Sequence, residues 1–257
     1  MRSEILITKN LTKKFGELIA VNNVNIRIKR GAFSILFGPN GAGKTTLINV
    51  VTGYLNKDDG GVWFDGKDIA NLSAAETFRL GLARSFQIPR IFPSLTVLEN
   101  ILVVDEGPGE SFIKAPIKKF WKEIEKEKVK KAFNVLQTIG LENEWDKLAG
   151  ELSGGDMKLL DVGKALMSNA KMLLIDEPIA GVNPSSAHLI LERLRNVAKA
   201  RNLTVLIVEH RLDIALKYVD YAYAMANGKI IAEGKPDEVI KTREVVESYL
   251  GEKYKLR

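Results

Sequence analysis

The nine residues "GPNGAGKTT", Gly38 to Thr46, directly follow the apolar run "FSILF" and lead into "LINVVTGYL", whose apolar positions recur at helical spacing. A glycine-rich loop held between a buried strand and a helix leaves the chain few choices, because the strand must lie inside a sheet and the helix must pack back on it. In the pattern G-x-x-x-x-G-K-[ST], Gly38 and Gly43 let the backbone turn so that successive N–H groups point at phosphate oxygens. Lys44 then reaches the β and γ phosphates, Thr45 offers a hydroxyl to Mg2+, and the helix N-terminus adds its partial positive charge. Pro39, Asn40, Gly41, Ala42 and Thr46 complete the expected nucleotide site.

A phosphate loop needs a second acid to hold the metal's water shell, and "MLLIDEP" supplies Asp176 at the end of an apolar strand. Glu177, next along, is placed to orient and deprotonate an attacking water. Its competing reading is a helix-start glutamate that complements the dipole ahead of Pro178. Farther back, "LSGG" at Leu152 to Gly155 opens the helical run "DMKLLDVGKALM". Ser153, Gly154 and Gly155 read there as another anion-binding nest, with no second nucleotide motif beside it. One chain thus carries one full phosphate site and one half-site.

Around these motifs the pattern alternates. The segment "ILITKNLTKKFGELIAVNNVNIRIKRGAFSILFGPN" reads as three strands with tight turns, and "GGVWFDGKDI" as a hairpin turning at Asp65-Gly66. "SAAETFRLG" reads as a short helix with a serine N-cap. "TVLENILVV" and "WKEIEKEKVKKAFNVLQTIGL" look helical, and the Gly-, Pro- and Lys-rich connector between them, residues 105–120, reads as an exposed loop. These features make 88–165 a helical subdomain inserted in a sheet domain. Strand "AKMLLIDEP", helix "NPSSAHLILERLRNVAKA" and strand "LTVLIVEH" then predict crossovers onto a largely parallel sheet. A second hairpin turns at Asn227-Gly228, and terminal helices follow.

Composition narrows the classes. A chain of 257 residues can bury the core of one large α/β domain with a smaller lobe. With no cysteine, disulfide frameworks and Cys-based zinc or iron–sulfur sites are excluded. The opening "MRSEILITKN" is too short an apolar run for a secretory signal, and no stretch of about 18 apolar residues occurs, so an intracellular protein is expected and any membrane would be spanned by another chain. The formal charge of +6 could serve nucleic acid or an anionic surface, but so modest an excess more often marks a solvated face.

With one full site, one half-site and the pair Asp176-Glu177, the sequence resembles, over essentially its whole length, the ATP-binding subunits of ABC transporters. That resemblance implies an α/β fold: a P-loop NTPase core with a mostly parallel sheet, an N-terminal antiparallel β subdomain and the inserted helical subdomain, within a single ATPase domain spanning 1–257. It implies ATP and Mg2+ as ligands, and a head-to-tail dimer, homodimeric or with a paralogous ATPase, in which Ser153 to Gly155 cap the γ-phosphate held by the opposite subunit. Gln87 in "ARSFQ" matches the glutamine bridging metal and water to the helical subdomain. Asn183 matches the loop that crosses the interface, and His210 in "VLIVEH" matches the histidine that contacts the γ-phosphate and pairs with Glu177. Phe15 takes the place of the aromatic that stacks on adenine, while His188 reads as an ordinary helix residue. Two positions depart from the usual signature: Asp156 stands where Gln or Glu is common, and Leu159 where many relatives carry a basic residue.

Within the family, "LGLARSFQIPRIFPSLTVLENILV", "LIDEPIAGVNP" and "VVESYLGE" are most similar to the branched-chain amino-acid importer, or LivG-type, branch. The resemblance implies membrane-spanning permease partners and a peripheral position at the cytoplasmic face of the membrane, with no nucleic acid expected. Two other readings remain open at the level of sequence. One is a soluble ABC-type ATPase acting on nucleic acid, against which stand only about 65 residues between Gln87 and Ser153 without sustained heptads. The other is a regulatory scaffold ATPase, which copurifying partners would reveal.

Overall fold

The computed structural model describes residues 3–85, 90–104 and 118–254. They group into two compact units, one formed by Met1–Gln87 with Lys171–Arg257 and the other by Ile88–Ala170.

The first unit holds two sheets. Strands β1 (Glu4–Phe15), β2 (Leu18–Lys29), β4 (Asp59–Phe64) and β5 (Lys67–Asp68) form an antiparallel sheet in the order β2-β1-β4-β5. Along β2, Val24, Ile26 and Ile28 are buried while Asn25, Arg27 and Lys29 face out, the period of two that one wet face requires. The second sheet has the order β10-β9-β3-β8-β7-β6, from β3 (Phe33–Phe37), β6 (Leu82–Ser85), β7 (Met172–Asp176), β8 (Thr204–Val208), β9 (Tyr221–Ala226) and β10 (Lys229–Gly234). All its pairings are parallel except β9 with β10. Strands β3 and β8 are buried at all five positions, the continuous apolar reading of strands covered on both faces.

Helix α1 (Lys44–Val51) follows β3, and its Leu47 and Ile48 share one core with Ile5, Leu11 and Ile28 of the antiparallel sheet and Leu36, Leu206 and Tyr223 of the other. Each fully buried Leu or Ile contributes roughly 1.5–3 kcal/mol. The Tyr223 hydroxyl, deep in that core, donates to the Arg27 carbonyl at 2.7 Å, so its polar end is satisfied. Both expected hairpin turns form with paired positive φ, 49° and 80° at Asp65-Gly66 and 48° and 77° at Asn227-Gly228. Ser73 caps α2 (Ala74–Arg79) in a capping box with Glu76. Strand β6 was not expected from sequence. The unit is completed by α6 (Pro184–Arg201), α7 (Leu212–Ala215), α8 (Pro236–Val239) and α9 (Arg243–Tyr254).

The second unit is built on α3 (Val97–Leu102), α4 (Lys118–Ile139) and α5 (Gly154–Met167). The helices approach closely at Gly163, where an added Cβ would lie 2.7 and 2.8 Å from Ile139 and Ile101. Buried Asn100 holds the chain before α3: its side chain accepts from Phe92 N at 2.8 Å and donates to the Phe92 and Thr96 carbonyls at 3.0 Å. Of the connector read as a loop over 105–120, residues 105–117 lie outside the described residues. Lys118–Phe120 correct that reading, since they form the first turn of α4.

Candidate functional site

The C-terminal ends of β3, β8 and β7 lie side by side, the end of a parallel sheet at which ligands gather. There the first unit has a cavity of about 550 Å³, lined by Asn40 to Thr46, by Asp176 and Glu177, by Val208 and His210, by Phe15, Leu18, Ile19 and Ala20, and by Asn227 and Gly228.

The loop's shape is imposed by close backbone contacts. A Cβ on Gly38 (φ 151°) would sit 1.9 Å from the Met225 carbonyl oxygen, and one on Gly43 (φ 100°) 2.1 Å from that of Ala20. The β9–β10 turn props the loop from the side, as Gly228 N donates to Ala42 O at 3.0 Å. Gly43 enters α1 with no side-chain cap and no acid in the first helical turn, so the helix N-terminus can receive an anion from outside. Lys44 is 6% exposed, and its ammonium donates to the Gly38 and Pro39 carbonyls at 2.8 Å each. A buried cation and an uncapped helix N-terminus that face one cavity fit a polyphosphate.

Asp176 ends β7 with its side chain 13% exposed, and its Oδ2 lies 3.4 Å from the Arg84 guanidinium. Burial pushes its pKa up, and the Arg84 charge pulls the other way. The Thr45 hydroxyl and the Asp176 carboxylate share the cavity as hard oxygen donors. Among the described residues, no group of three or more His, Asp or Glu could cage a metal alone. That donor set fits Mg2+, which takes one or two protein oxygens and completes its shell from water and substrate phosphate.

Glu177 has φ 52°, an uncommon conformation for a side-chain-bearing residue and one disfavoured again by the following Pro178. Such strain persists where surrounding contacts over-determine it, and it concentrates at functional sites. Its Oε1 lies 3.4 Å from His210 Nε2, and its N–H donates to Val208 O at 2.9 Å. Phe15 stands at the cavity wall, 47% exposed, with the Lys13 ammonium 5.5 Å from its ring centre.

The structure therefore brings together Phe15, Asn40 to Thr46, Asp176, Glu177 and His210, with Gly38 and Pro39 held beneath by Lys44. Gln87 lies outside the described residues. Ser153, Gly154 and Gly155 belong to the second unit and are not among the lining residues. Gly154 and Gly155 are the first residues of α5, the helix start expected from sequence, and neither takes a left-handed φ. Ser153 is its N-cap: its Oγ accepts from Asp156 N at 3.2 Å and donates to the Asp156 carboxylate at 2.7 Å. Leu159 is 2% exposed and belongs to the core. Asn183 N-caps α6, accepting from Ser186 N at 2.9 Å, and His188 Nδ1 is bonded to the Tyr218 hydroxyl at 2.9 Å.

Sequence reasoning missed three contributors. Arg84 ties Asp176 to Asn49 of α1 and lies 5.6 Å over the Tyr54 ring. The Asn227-Gly228 turn forms part of the wall, although its hairpin signal was visible. Glu209, beside His210, is 2% exposed and accepts from three backbone N–H groups, which draw its pKa down against the larger upward push of burial.

A profile of the ABC transporter family matches residues 21–180. The chain is 49% identical over 253 residues to the probable branched-chain amino acid transport ATP-binding protein LivG of Methanocaldococcus jannaschii, covering 97% of this chain and 98% of that one. A crystal structure of the ADP conformation of an ATP-binding cassette of an ABC transporter superposes with TM-score 0.83 at 46% identity, covering 97% of this chain and all of that chain. A dimeric cassette in a post-hydrolysis state, bound to ADP and Pi, is similar with TM-score 0.71 at 26% identity over 90% of this chain and 99% of that chain.

Proposed function

The chain belongs to the ABC transporter family as an ATP-binding subunit of the LivG type, and on that premise we propose that two copies, or this chain and a paralogous ATPase, close head to tail on two ATP·Mg2+ and power import of branched-chain amino acids through permease subunits. In this reading 1–257 is one ATPase domain, 88–165 is its inserted helical subdomain carrying the signature, and the assembly sits at the cytoplasmic face of the membrane. Among the described residues no helix is long and apolar enough to cross a membrane, so spanning falls to the partners.

One observation carries the dimer. The phosphate cradle and its acids line one cavity of the first unit, while Ser153 to Gly155 belong to the second unit and are not among the lining residues. A Cβ on Gly154 would meet nothing within 4 Å, so this chain's own packing gives no reason for glycine there. A helix start with space at Gly154 for an outside group, where an anion would compete with Asp156 for the Ser153 cap, supports an anion arriving from a second subunit. The dimeric cassette with ADP and Pi is a precedent at 26% identity. The name of the Methanocaldococcus relative supports the amino-acid class.

The chemistry follows from the residues. The amides of Asn40 to Lys44 and the start of α1 hold the phosphates, and Lys44 exchanges loop carbonyls for phosphate oxygens. Thr45 and Asp176, with Gln87 from the resemblance, would hold Mg2+, which neutralises phosphate charge when bound. Glu177 accepts a proton from water as its oxygen bonds to the γ-phosphorus and the bond to ADP breaks, and His210 orients that carboxylate. Phe15 stacks on adenine. Loss of the γ-phosphate removes the contact between subunits, and reopening follows.

The test is capture of tagged Glu177→Gln protein from detergent-solubilised native membranes with ATP present. Recovery of polytopic subunits, and ATP-dependent uptake of leucine, isoleucine or valine by the reconstituted wild-type complex, is the expected outcome. Recovery of soluble proteins or nucleic acid alone would leave the ATPase and overturn the transporter reading. A complex that moves only other solutes would overturn the substrate.

A further inference from the structure

Strands β7 and β8 run in parallel register as far as Asp176 opposite Val208, and one more ladder bond, Glu177 N to Val208 O, ends the pairing. Beyond it the two chains become turns, 177–182 and 209–211, yet they remain tied. Glu209 Oε1 accepts from Ile179 N at 2.8 Å, and its Oε2 accepts from His210 N at 3.1 Å and Arg211 N at 3.5 Å. Arg211 returns the link, its guanidinium donating to the Val182 carbonyl at 2.7 Å. Side chains thus take over where the ladder stops, and the two residues they flank are Glu177, held at φ 52°, and His210, 3.4 Å from it.

We infer that Glu209 is a positioning residue for hydrolysis, which with Arg211 braces the turn carrying Glu177 against the turn carrying His210. The inference rests on the reading of Glu177 as the base. Glu209 is 2% exposed and is not among the residues that line the cavity, so its effect passes through the geometry of its neighbours. A carboxylate suits the task because it only accepts, on both oxygens at once. The amide of Gln would turn a donor toward either the Ile179 amide or the His210 and Arg211 amides, and one side of the brace would open.

The test measures ATP affinity, turnover and melting temperature of full-length Glu209→Gln. Turnover should fall about 10- to 100-fold, the scale of a misplacement near 1 Å, while ATP affinity stays within about twofold because the phosphate loop is untouched. In a Glu177→Gln background the same change should cause no further loss of residual single-turnover hydrolysis, a non-additivity that a general loss of stability would not produce. Turnover within about twofold of the parent, or a loss that multiplies in the double variant, would overturn the brace. If Glu209→Gln does not fold, Arg211→Met decides: a several-fold drop in turnover at unchanged affinity supports the brace, and unchanged turnover overturns it. Normal hydrolysis by Glu177→Gln would remove the base and the brace together, whereas an inactive Glu177→Gln beside a normal Glu209→Gln would remove the brace alone.

Discussion

Helices α1 and α5 both begin at glycine-rich turns, and the chain treats their N-termini in opposite ways. α5 is closed by its own residues, with Ser153 as cap and Asp156 in the first turn. The short helices α2 and α3 likewise carry full capping boxes, Ser73 with Glu76 and Thr96 with Glu99. α1 has neither cap nor acid, and a buried lysine opens its first turn. A helix N-terminus with no side-chain cap that faces a cavity marks a place for an anion from outside. Close backbone approaches demand two glycines of the loop before α1, whereas nothing in the fold demands Gly154 at the other helix.

The largest effects should separate binding from chemistry at the open helix. Lys44→Ala should abolish measurable ATP binding, whereas Glu177→Gln should bind ATP at parental affinity and turn over some 10²- to 10⁴-fold more slowly, as nucleotide titration and phosphate release would report. Retained binding in the lysine variant would break the assignment of α1 as the phosphate site.

Next come the glycines. Gly43→Ala forces a Cβ to 2.1 Å from a backbone oxygen at φ 100° and should cost about 2–4 kcal/mol of stability. Gly154→Ala should leave the melting temperature unchanged or raise it slightly, since alanine favours a helix by roughly 0.5–1 kcal/mol, yet slow turnover about tenfold. Equal melting temperatures for the two variants, or full activity in the second, would erase the contrast.

Smaller still is the effect of Asp156. Its carboxylate accepts the Ser153 hydroxyl proton and sits where an arriving phosphate must compete. Asp156→Asn should lower the ATP concentration for half-maximal turnover about 2- to 5-fold, the scale of one charge at a helix end. The least effect concerns pH. Glu76 and Glu99 are held below the ordinary glutamate value of 4.5, Glu76 chiefly by the Ser73 hydroxyl and Glu99 chiefly by the Thr96 backbone N–H. A depressed acid gives its stabilisation in full above that value and loses it as pH falls through the lower folded one. Amide exchange in the first turns of α2 and α3 should therefore rise on acidification below about pH 4.5 while that of α1, which carries no acid there, keeps only its intrinsic pH dependence.

Local chemistry was legible in the sequence, and pairing made at a distance was not. The loop between β3 and α1, the turns at Asp65-Gly66 and Asn227-Gly228 and the cap Ser73 each need only neighbouring residues. β6 is four residues long and is a strand because β7 lies beside it. Arg84 joins the site only through that strand. Glu209 reads as a surface acid beside a histidine, and its burial depends on amides from another turn. That Gly154-Gly155 open a helix was legible, whereas the Ser153–Asp156 hydrogen bonds that close its start were not.

The most direct test of a site completed in trans is the solution mass of Glu177→Gln with ATP·Mg2+, measured by light scattering during gel filtration. Doubling of the 28.5 kDa chain, or pairing with the ATPase subunit recovered in the membrane capture, is predicted. Adding Gly154→Arg should prevent either. Protein that binds ATP and keeps the mass of one copy in both settings would contradict the account.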